Sequence, residues 1–242
     1  MQGARPLKTP RPAARRRDPL CLLREHLRLA PVRAVPELVL YGAHPGSGLK
    51  ALAAGTGSTG APYWAFAWSG GLALARHVFD HPALVAGRRV LDLGAGSGLV
   101  GIAAARAGAR QVIAAEIDAF ATAAIRLNAA ANGVGLAIFR RDITEEPAPD
   151  VDVVLAGDVL YDPGVCARML PFLDRCLASG IDVLIGDPGR RDLPLARVRR
   201  IADYPVGDMG DAGRVGSVFS LLPAESAVPL ETPSGCAAPI PG

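Results

Sequence analysis

No apolar stretch in this chain approaches the roughly 18 residues that a membrane span needs, and the start carries no apolar core of a secretory signal. A membrane or secreted protein is therefore not expected. The expectation is a soluble cytoplasmic protein, with the mitochondrial matrix open only if the basic start acts as a transit peptide. Cysteine is sparse too. Cys21, Cys166, Cys176 and Cys236 form no C-x-x-C pair and have no histidine at ligand spacing, which argues against a disulfide framework and a zinc site and leaves four free thiols. His26, His44, His77 and His81 are scattered, and His77 and His81 lack a third ligand nearby, so no metal is expected. Positive charge is scarcer than the formal +3 suggests. Nine of the 26 basic residues but two of the 23 acidic ones lie in residues 1–33, leaving 17 basic and 21 acidic residues in the body. A mildly acidic body gives a nucleic-acid partner little electrostatic support, and none is expected.

What is present is one core's worth of apolar residues, 50% of 242. The organisation read from composition is a disordered basic segment 1–20, one domain over 21–222, and a Pro-, Ala- and Ser-rich tail 223–242. Within the domain, 21–88 precedes a core of 89–222. A monomer is expected. From Arg89 to Ile185 strands and helices alternate, which argues for a parallel sheet covered on both faces. Strands are expected at Arg89 to Leu93, Val112 to Glu116, Leu136 to Arg140, Val151 to Ala156 and Ile181 to Ile185. Helices fall between them: Leu99 to Ala107, Ala119 to Ala131 stopped by Asn132 and Gly133, and Gly164 to Leu177 with Pro171 as a kink. A helix is then expected near Leu195 to Ala202. The segments Ala202 to Pro205 and Arg214 to Leu222 form a closing pair, for a count of seven strands.

The most informative stretch is Val90-Leu-Asp-Leu-Gly-Ala-Gly-Ser-Gly-Leu-Val-Gly101, a strand, a glycine turn and a helix start. Glycines let a ligand approach the backbone, and the helix presents free N–H groups to it. Spacing alone is ambiguous: Gly96, Gly98 and Gly101 fit the dinucleotide pattern, whereas Gly94, Gly96 and Gly98 fit that of methyltransferases. Asp92 tilts the choice, since a carboxylate at the strand end can hold the turn and meet the ammonium of an amino-acid-like cofactor such as S-adenosylmethionine. Its bland role is to satisfy the amides of the turn. Ligands of such sheets bind beyond the carboxyl ends of the strands, which puts Glu116, Asp142, Asp158 and Asp187 around one site. Glu116 follows Gly94 by 22 positions, near the spacing at which an acid meets ribose hydroxyls. Asp118 is better placed as a helix N-cap. Asp142 could accept from an adenine amine or merely cap a loop. Upstream, Tyr63, Trp64 and Trp68 fall within six positions and make a candidate lid, Trp64 being equally suited to plugging the core.

Pro62-Tyr-Trp-Ala-Phe-Ala-Trp-Ser-Gly-Gly71, Asp92-Leu-Gly-Ala-Gly-Ser-Gly98, Gly157-Asp-Val-Leu-Tyr-Asp162 and Ile185-Gly-Asp-Pro-Gly-Arg190 together resemble the seven-β-strand lysine methyltransferases that act on the β-subunit of electron-transfer flavoprotein. That group is also labelled predicted nicotinamide N-methylase. The likeness runs roughly from Leu22 to Leu222, and the basic start is not part of it. It implies the class I, Rossmann-like α/β fold: a mostly parallel seven-stranded sheet with one antiparallel C-terminal strand. It also implies S-adenosyl-L-methionine as methyl donor, with Trp68, Gly94, Glu116 and the region of Asp158 around it; with the strand-end and glycine-turn residues, the expected cofactor-binding set is Trp68, Asp92, Gly94, Gly96, Gly98, Glu116, Asp142 and Gly157. Asp158 and Tyr161 would face the acceptor amine as the catalytic pair, Tyr161 having helix-start packing as its plain alternative. The implied partner is a protein with an exposed lysine, electron-transfer flavoprotein β-subunit first among candidates. A small-molecule N-methyltransferase and a silent cofactor-fold binding module are the competing readings. A nucleic-acid adenine methylase fits less well, because Asp158-Val-Leu-Tyr161 lacks the prolines such enzymes carry after the fourth strand.

Overall fold

The computed structural model describes residues 18–49, 62–207 and 213–224. Most of the two tails, the Gly-rich stretch before Pro62 and Cys236 lie outside them. Asp18 caps the first helix, α1 (Pro19–His26), by accepting from the Leu20 amide at 3.1 Å. An antiparallel hairpin follows, β1 (Arg28–Val32) and β2 (Val35–Gly42). The sequence reading did not resolve it as a hairpin.

After a 3₁₀ turn at Tyr63–Ala65 comes helix α2 (Ser69–Asp80) and then the alternating core. Its elements are β3 (Arg89–Leu93), α3 (Leu99–Arg106), β4 (Gln111–Ala115), α4 (Ala119–Ala131), β5 (Ala137–Phe139), β6 (Val153–Gly157), α5 (Pro163–Ala178) and β7 (Asp182–Asp187). Gly133 at φ 66° stands just past the end of α4, where the sequence placed its stop. Pro171 sits inside α5, which runs unbroken as one assigned helix. The chain closes with β8 (Val198–Pro205) and β9 (Val215–Leu221).

The seven strands run in the order β5, β4, β3, β6, β7, β9, β8, with β9 antiparallel to both its neighbours and the other pairings parallel. This is the class I, Rossmann-like seven-stranded methyltransferase arrangement expected above. The helix expected near Leu195 to Ala202 is not formed. A single 3₁₀ turn at Leu195–Arg197 leads directly into β8. Leu195, Val198, Ile201 and Ala202 recur at helical spacing, but β9 offers a ladder of hydrogen bonds that a helix would forgo, and Arg200 lies over the Phe219 ring at 5.8 Å.

Side chains alternate across the sheet. Val90, Val112, Val153, Leu155 and Val218 pack against α2, α3 and the hairpin, while Leu91, Leu93, Val154, Ile185 and Phe219 pack against α5. The start of α2 is pressed onto β7 backbone to backbone. A Cβ on Gly70 would lie 2.6 Å from the Gly186 carbonyl carbon, and one on Gly186 2.8 Å from that of Gly70. Two separate sequence motifs, Ser69-Gly-Gly71 and Gly186-Asp-Pro-Gly189, are thereby one contact, which delivers the N-terminal amides of α2 to the end of β6. Among the described residues no helix is long and apolar enough to cross a membrane.

Candidate active site

The turn after β3 is built from left-handed glycines, Gly94, Gly96 and Gly98 at φ 65°, 53° and 83°, conformations that a Cβ disfavours. It is tied down on two sides. The Ala95 amide bonds the Ala115 carbonyl at 3.1 Å, and the side-chain amide of Asn128, fully buried on α4, donates to the Ser97 carbonyl at 2.8 Å. Asn128 also accepts from Tyr41 N–H at 2.7 Å, which joins the hairpin to the turn.

Asp92 is 2% exposed and accepts from the Gly101 amide at 2.8 Å in the first turn of α3. Burial pushes its carboxyl up to about 7, against the pull of that amide, and the nearby Glu116 adds to the rise. A Cβ at position 101 would lie 2.9 Å from Asp92 Oδ2, so Gly101 serves this hydrogen bond. This hydrogen bond ties the end of β3 to the first turn of α3.

Glu116 sits just past β4. Its Oε2 accepts from Gly96 N–H at 2.9 Å, and its Oε1 from Ile117 and Asp118 N–H at 2.8 and 2.9 Å. Burial raises its pKa while the three amides oppose the rise. Asp118 caps α4 through Phe120 and Ala121 N–H, as its position suggested. Asp142 accepts from the Thr144 amide at 3.0 Å and hydroxyl at 2.6 Å, and pairs with Arg168 at 3.2 Å. Glu116 and Asp142, with Gly94, Ile117, Ile143 and Met169, line a cavity of about 60 Å³ beyond the strand ends. A larger cleft of about 410 Å³ lies between the hairpin and the 63–65 turn, against Trp64, Phe66 and Leu72. Among the described residues it has no carboxylate in its wall, whereas the smaller slot holds the strand-end acids Glu116 and Asp142.

On the other side of the glycine turn, Asp158 follows β6 at φ 56°, the one non-glycine residue with positive φ among the described residues. Such a conformation costs on the order of 1–3 kcal/mol and is held here by its surroundings. The Asp158 amide donates to Gly186 O at 2.8 Å, Oδ2 accepts from Gly71 N–H at 2.8 Å, and Oδ1 accepts from Arg190 Nη2 at 2.8 Å. Burial raises the pKa of Asp158, with Arg190 and the α2 amides pulling the other way. Gly157, expected at the cofactor, faces α2: a Cβ there would lie 2.9 Å from Gly71 Cα.

Tyr161 is 46% exposed and its ring lies 5.9 Å from that of Tyr63. Tyr63 in turn is 5.9 Å from Trp68, whose Nε1 donates to the Tyr63 carbonyl at 2.9 Å, and Phe66 stands 5.7 Å from Trp68. Tyr63, Phe66, Trp68 and Tyr161 therefore form one aromatic cluster, which Tyr161 joins from the segment that follows Asp158. Trp64 is not part of it; 5% exposed, it stacks on Phe120 at 6.2 Å in the core with Leu22 and Leu23. The structure thus ties Asp158 to the start of α2 and to Arg190, joins Tyr161 to the Tyr63 and Trp68 rings, and sets Glu116, which also acts on Tyr161, with Asp142 at the neighbouring strand ends. Sequence reasoning missed the contact of Arg190 with Asp158. Its signal was the Asp187-Pro-Gly-Arg190 turn, in which Asp187 accepts from the Gly189 and Arg190 amides at 2.7 and 2.6 Å.

His77 shares a hydrogen bond with the Tyr204 hydroxyl at 2.9 Å, and its ring lies 4.5 Å from that of His81. Cys166 and Cys176 are buried free thiols and Cys21 an exposed one.

Residues 77–178 match the family model of ribosomal protein L11 methyltransferase (PrmA). The chain is similar to the electron transfer flavoprotein beta subunit lysine methyltransferase of Rattus norvegicus, 41% identical over 131 residues, or 53% of this chain and 51% of that protein. The protein of the same name from Xenopus laevis is 41% identical over 156 residues, covering 62% of this chain and 63% of that protein. The chain therefore spans between about half and two-thirds of the length of these relatives. Among solved structures, ribosomal protein L11 methylase from Lactobacillus delbrueckii subsp. bulgaricus is similar at TM-score 0.46, with 23% identity over 62% of this chain and 77% of that one.

Proposed function

We propose that this chain is an S-adenosylmethionine-dependent N-methyltransferase that modifies lysine side chains of a protein, with electron-transfer flavoprotein β-subunit as the acceptor suggested by the relatives' names. The observation that carries the reading is the strained Asp158 three residues before Tyr161, whose ring meets Tyr63 and through it Trp68, together with the glycine turn and the Glu116 and Asp142 acids beyond the strand ends.

The residues present fit the donor. Three positive-φ glycines leave the turn without Cβ atoms, and the apolar sides of Ile117, Ile143 and Met169 suit a flat base. Two carboxylate oxygens offer about four acceptor sites, so Glu116, with three amides bound, keeps one for a ribose hydroxyl and gains a second by releasing Gly96 N–H. When bound, the donor supplies a methyl group on a positively charged sulfur.

The chain's own part is to place and strip the amine. The ammonium first loses a proton to water; the nitrogen lone pair then forms the C–N bond as the C–S bond breaks, its electrons returning to sulfur. Aromatic walls lower the amine pKa by excluding water. Burial and the neighbouring Tyr63 raise the Tyr161 pKa, which keeps the phenol neutral at pH 7, so its oxygen accepts a hydrogen bond from the amine without adding charge. Asp158 directs a second N–H. The test is incubation with tritiated S-adenosylmethionine and recombinant electron-transfer flavoprotein β-subunit, beside a cell extract. Label on lysine of a protein supports the reading. Label confined to small molecules points to the competing acceptor class, and no binding of the donor by calorimetry rejects the assignment.

A further inference from the structure

The carboxylate set beside the acceptor amine is already engaged at both oxygens, by Gly71 N–H and by Arg190. The side chains of the Asp158 and Arg190 pair are 8% and 29% exposed, so water screens their attraction weakly. Arg190 is fixed by its own turn, where Asp187 holds its amide. Asp187 Oδ2 and Arg190 Nε are both buried without a hydrogen-bond partner among the described residues. Leaving buried polar groups in that state is costly.

An isolated carboxylate beside a lysine ammonium stabilises the cation and raises the amine pKa, the opposite of what attack on a methyl group requires. A carboxylate joined to a guanidinium is nearly neutral as a unit, yet still presents a lone pair. We propose that Arg190 is a positioning residue that cancels the charge of Asp158, so that the site orients an acceptor amine through a hydrogen bond without retaining its proton. The ion pair stands in the structure by itself; only its effect on the amine rests on the function proposed above.

The groups that face the pair are Asp187 from the end of β7 and the Gly70 and Gly71 amides from α2. Tyr161, from the segment after β6, is faced in turn by Tyr63, Asp162, Glu116 and Arg168. Burial pushes the Asp187 carboxyl upward, against the pull of the Arg190 and Gly189 amides. As a general scale, a positive charge about 6 Å from an amine, at an effective dielectric of about 20, lowers the amine's pKa by about 2 units. Partial exposure of Arg190 reduces this to about one unit.

The experiment measures kcat against pH for methylation of recombinant electron-transfer flavoprotein β-subunit by the full chain. Arg190→Gln should move the rising limb about one unit toward alkaline pH and recover much of its rate there. Arg190→Lys, which keeps the charge but not the planar fork, should keep the wild-type limb at a lower kcat. A limb that stays in place in Arg190→Gln while the rate falls evenly overturns the proposal.

A second arm needs no acceptor. Urea stability of Arg190→Gln relative to wild type should worsen as pH rises, because only ionised Asp158 loses its partner; a deficit equal at acid and alkaline pH also overturns it. If wild type leaves the β-subunit unlabelled, the proposed acceptor fails and the stability arm decides the ion pair. If Arg190→Gln does not fold, Arg190→Lys decides: a wild-type limb supports the charge role, and a limb shifted by about one unit ends it.

Discussion

Replacing Asp92 by Asn should make the protein's stability far less sensitive to pH, and the size of the effect follows from where Asp92 sits. It is 2% exposed, and its carboxyl is pushed up to about 7 by burial. In the unfolded chain it returns to about 3.9. As pH rises, unfolded molecules shed this proton first, so folded stability falls between about pH 4 and about pH 7 and is level above that. A difference of about three units corresponds to about 4 kcal/mol. Asn still offers an oxygen to Gly101 N–H but never ionises, so it lacks the decline. Urea denaturation followed by circular dichroism, for both proteins at about pH 4.5 and about pH 8, isolates the term: the raised carboxyls of Asp158 and Asp187 are common to both and cancel, while Glu116, coupled to Asp92, is counted with it. The variant should gain about 3 kcal/mol on wild type across that interval, whatever constant offset its buried amide introduces. Curves that stay parallel would refute the idea that Asp92 is a carboxyl buried beneath the turn.

Asp158→Ala should abolish methyl transfer while the dissociation constant for S-adenosylmethionine, read by calorimetry, changes less than about threefold; full activity would remove Asp158 from the site. Glu116→Gln turns an acceptor of three amides into a group with a misplaced donor, and should weaken donor binding by about tenfold or more in the same assay. The two tryptophans should separate cleanly. Trp64→Ala, in the core against Phe120, should cost about 3–5 kcal/mol in urea unfolding, whereas Trp68→Ala should cost under about 1.5 kcal/mol and lower kcat/KM.

Much of the fold was readable because its signals are local. Apolar runs of strand length, Asp118 and Asp162 ahead of helices, and Gly133 behind one each act over a few residues. Where the signal was not local, reading failed. Leu195 to Ala202 has a helical period, yet β9 waits beside it, and partner strands are invisible to periodicity. The hairpin was missed as a unit because β2 is held by Asn128 and Asn132 of α4, about 90 positions away. In the site, the identity of the strand-end acids was legible, but their partners were not. Asp92 turns to Gly101, Glu116 closes on Gly96, and Asp158 meets an arginine 32 positions later.

From its residues alone, this protein is a covered parallel sheet with a glycine turn and a rim of acids at the strand ends, since each of those features is set by short-range sterics and spacing. Only tertiary structure decided which acids face inward, which tryptophan serves the core, and that Asp158 carries its own counter-charge. Those depend on the backbone contact of Gly70 with Gly186, which sets α2 on β7 and brings the Gly71 amide and Arg190 to the same carboxylate; no spacing within one segment encodes a meeting of two.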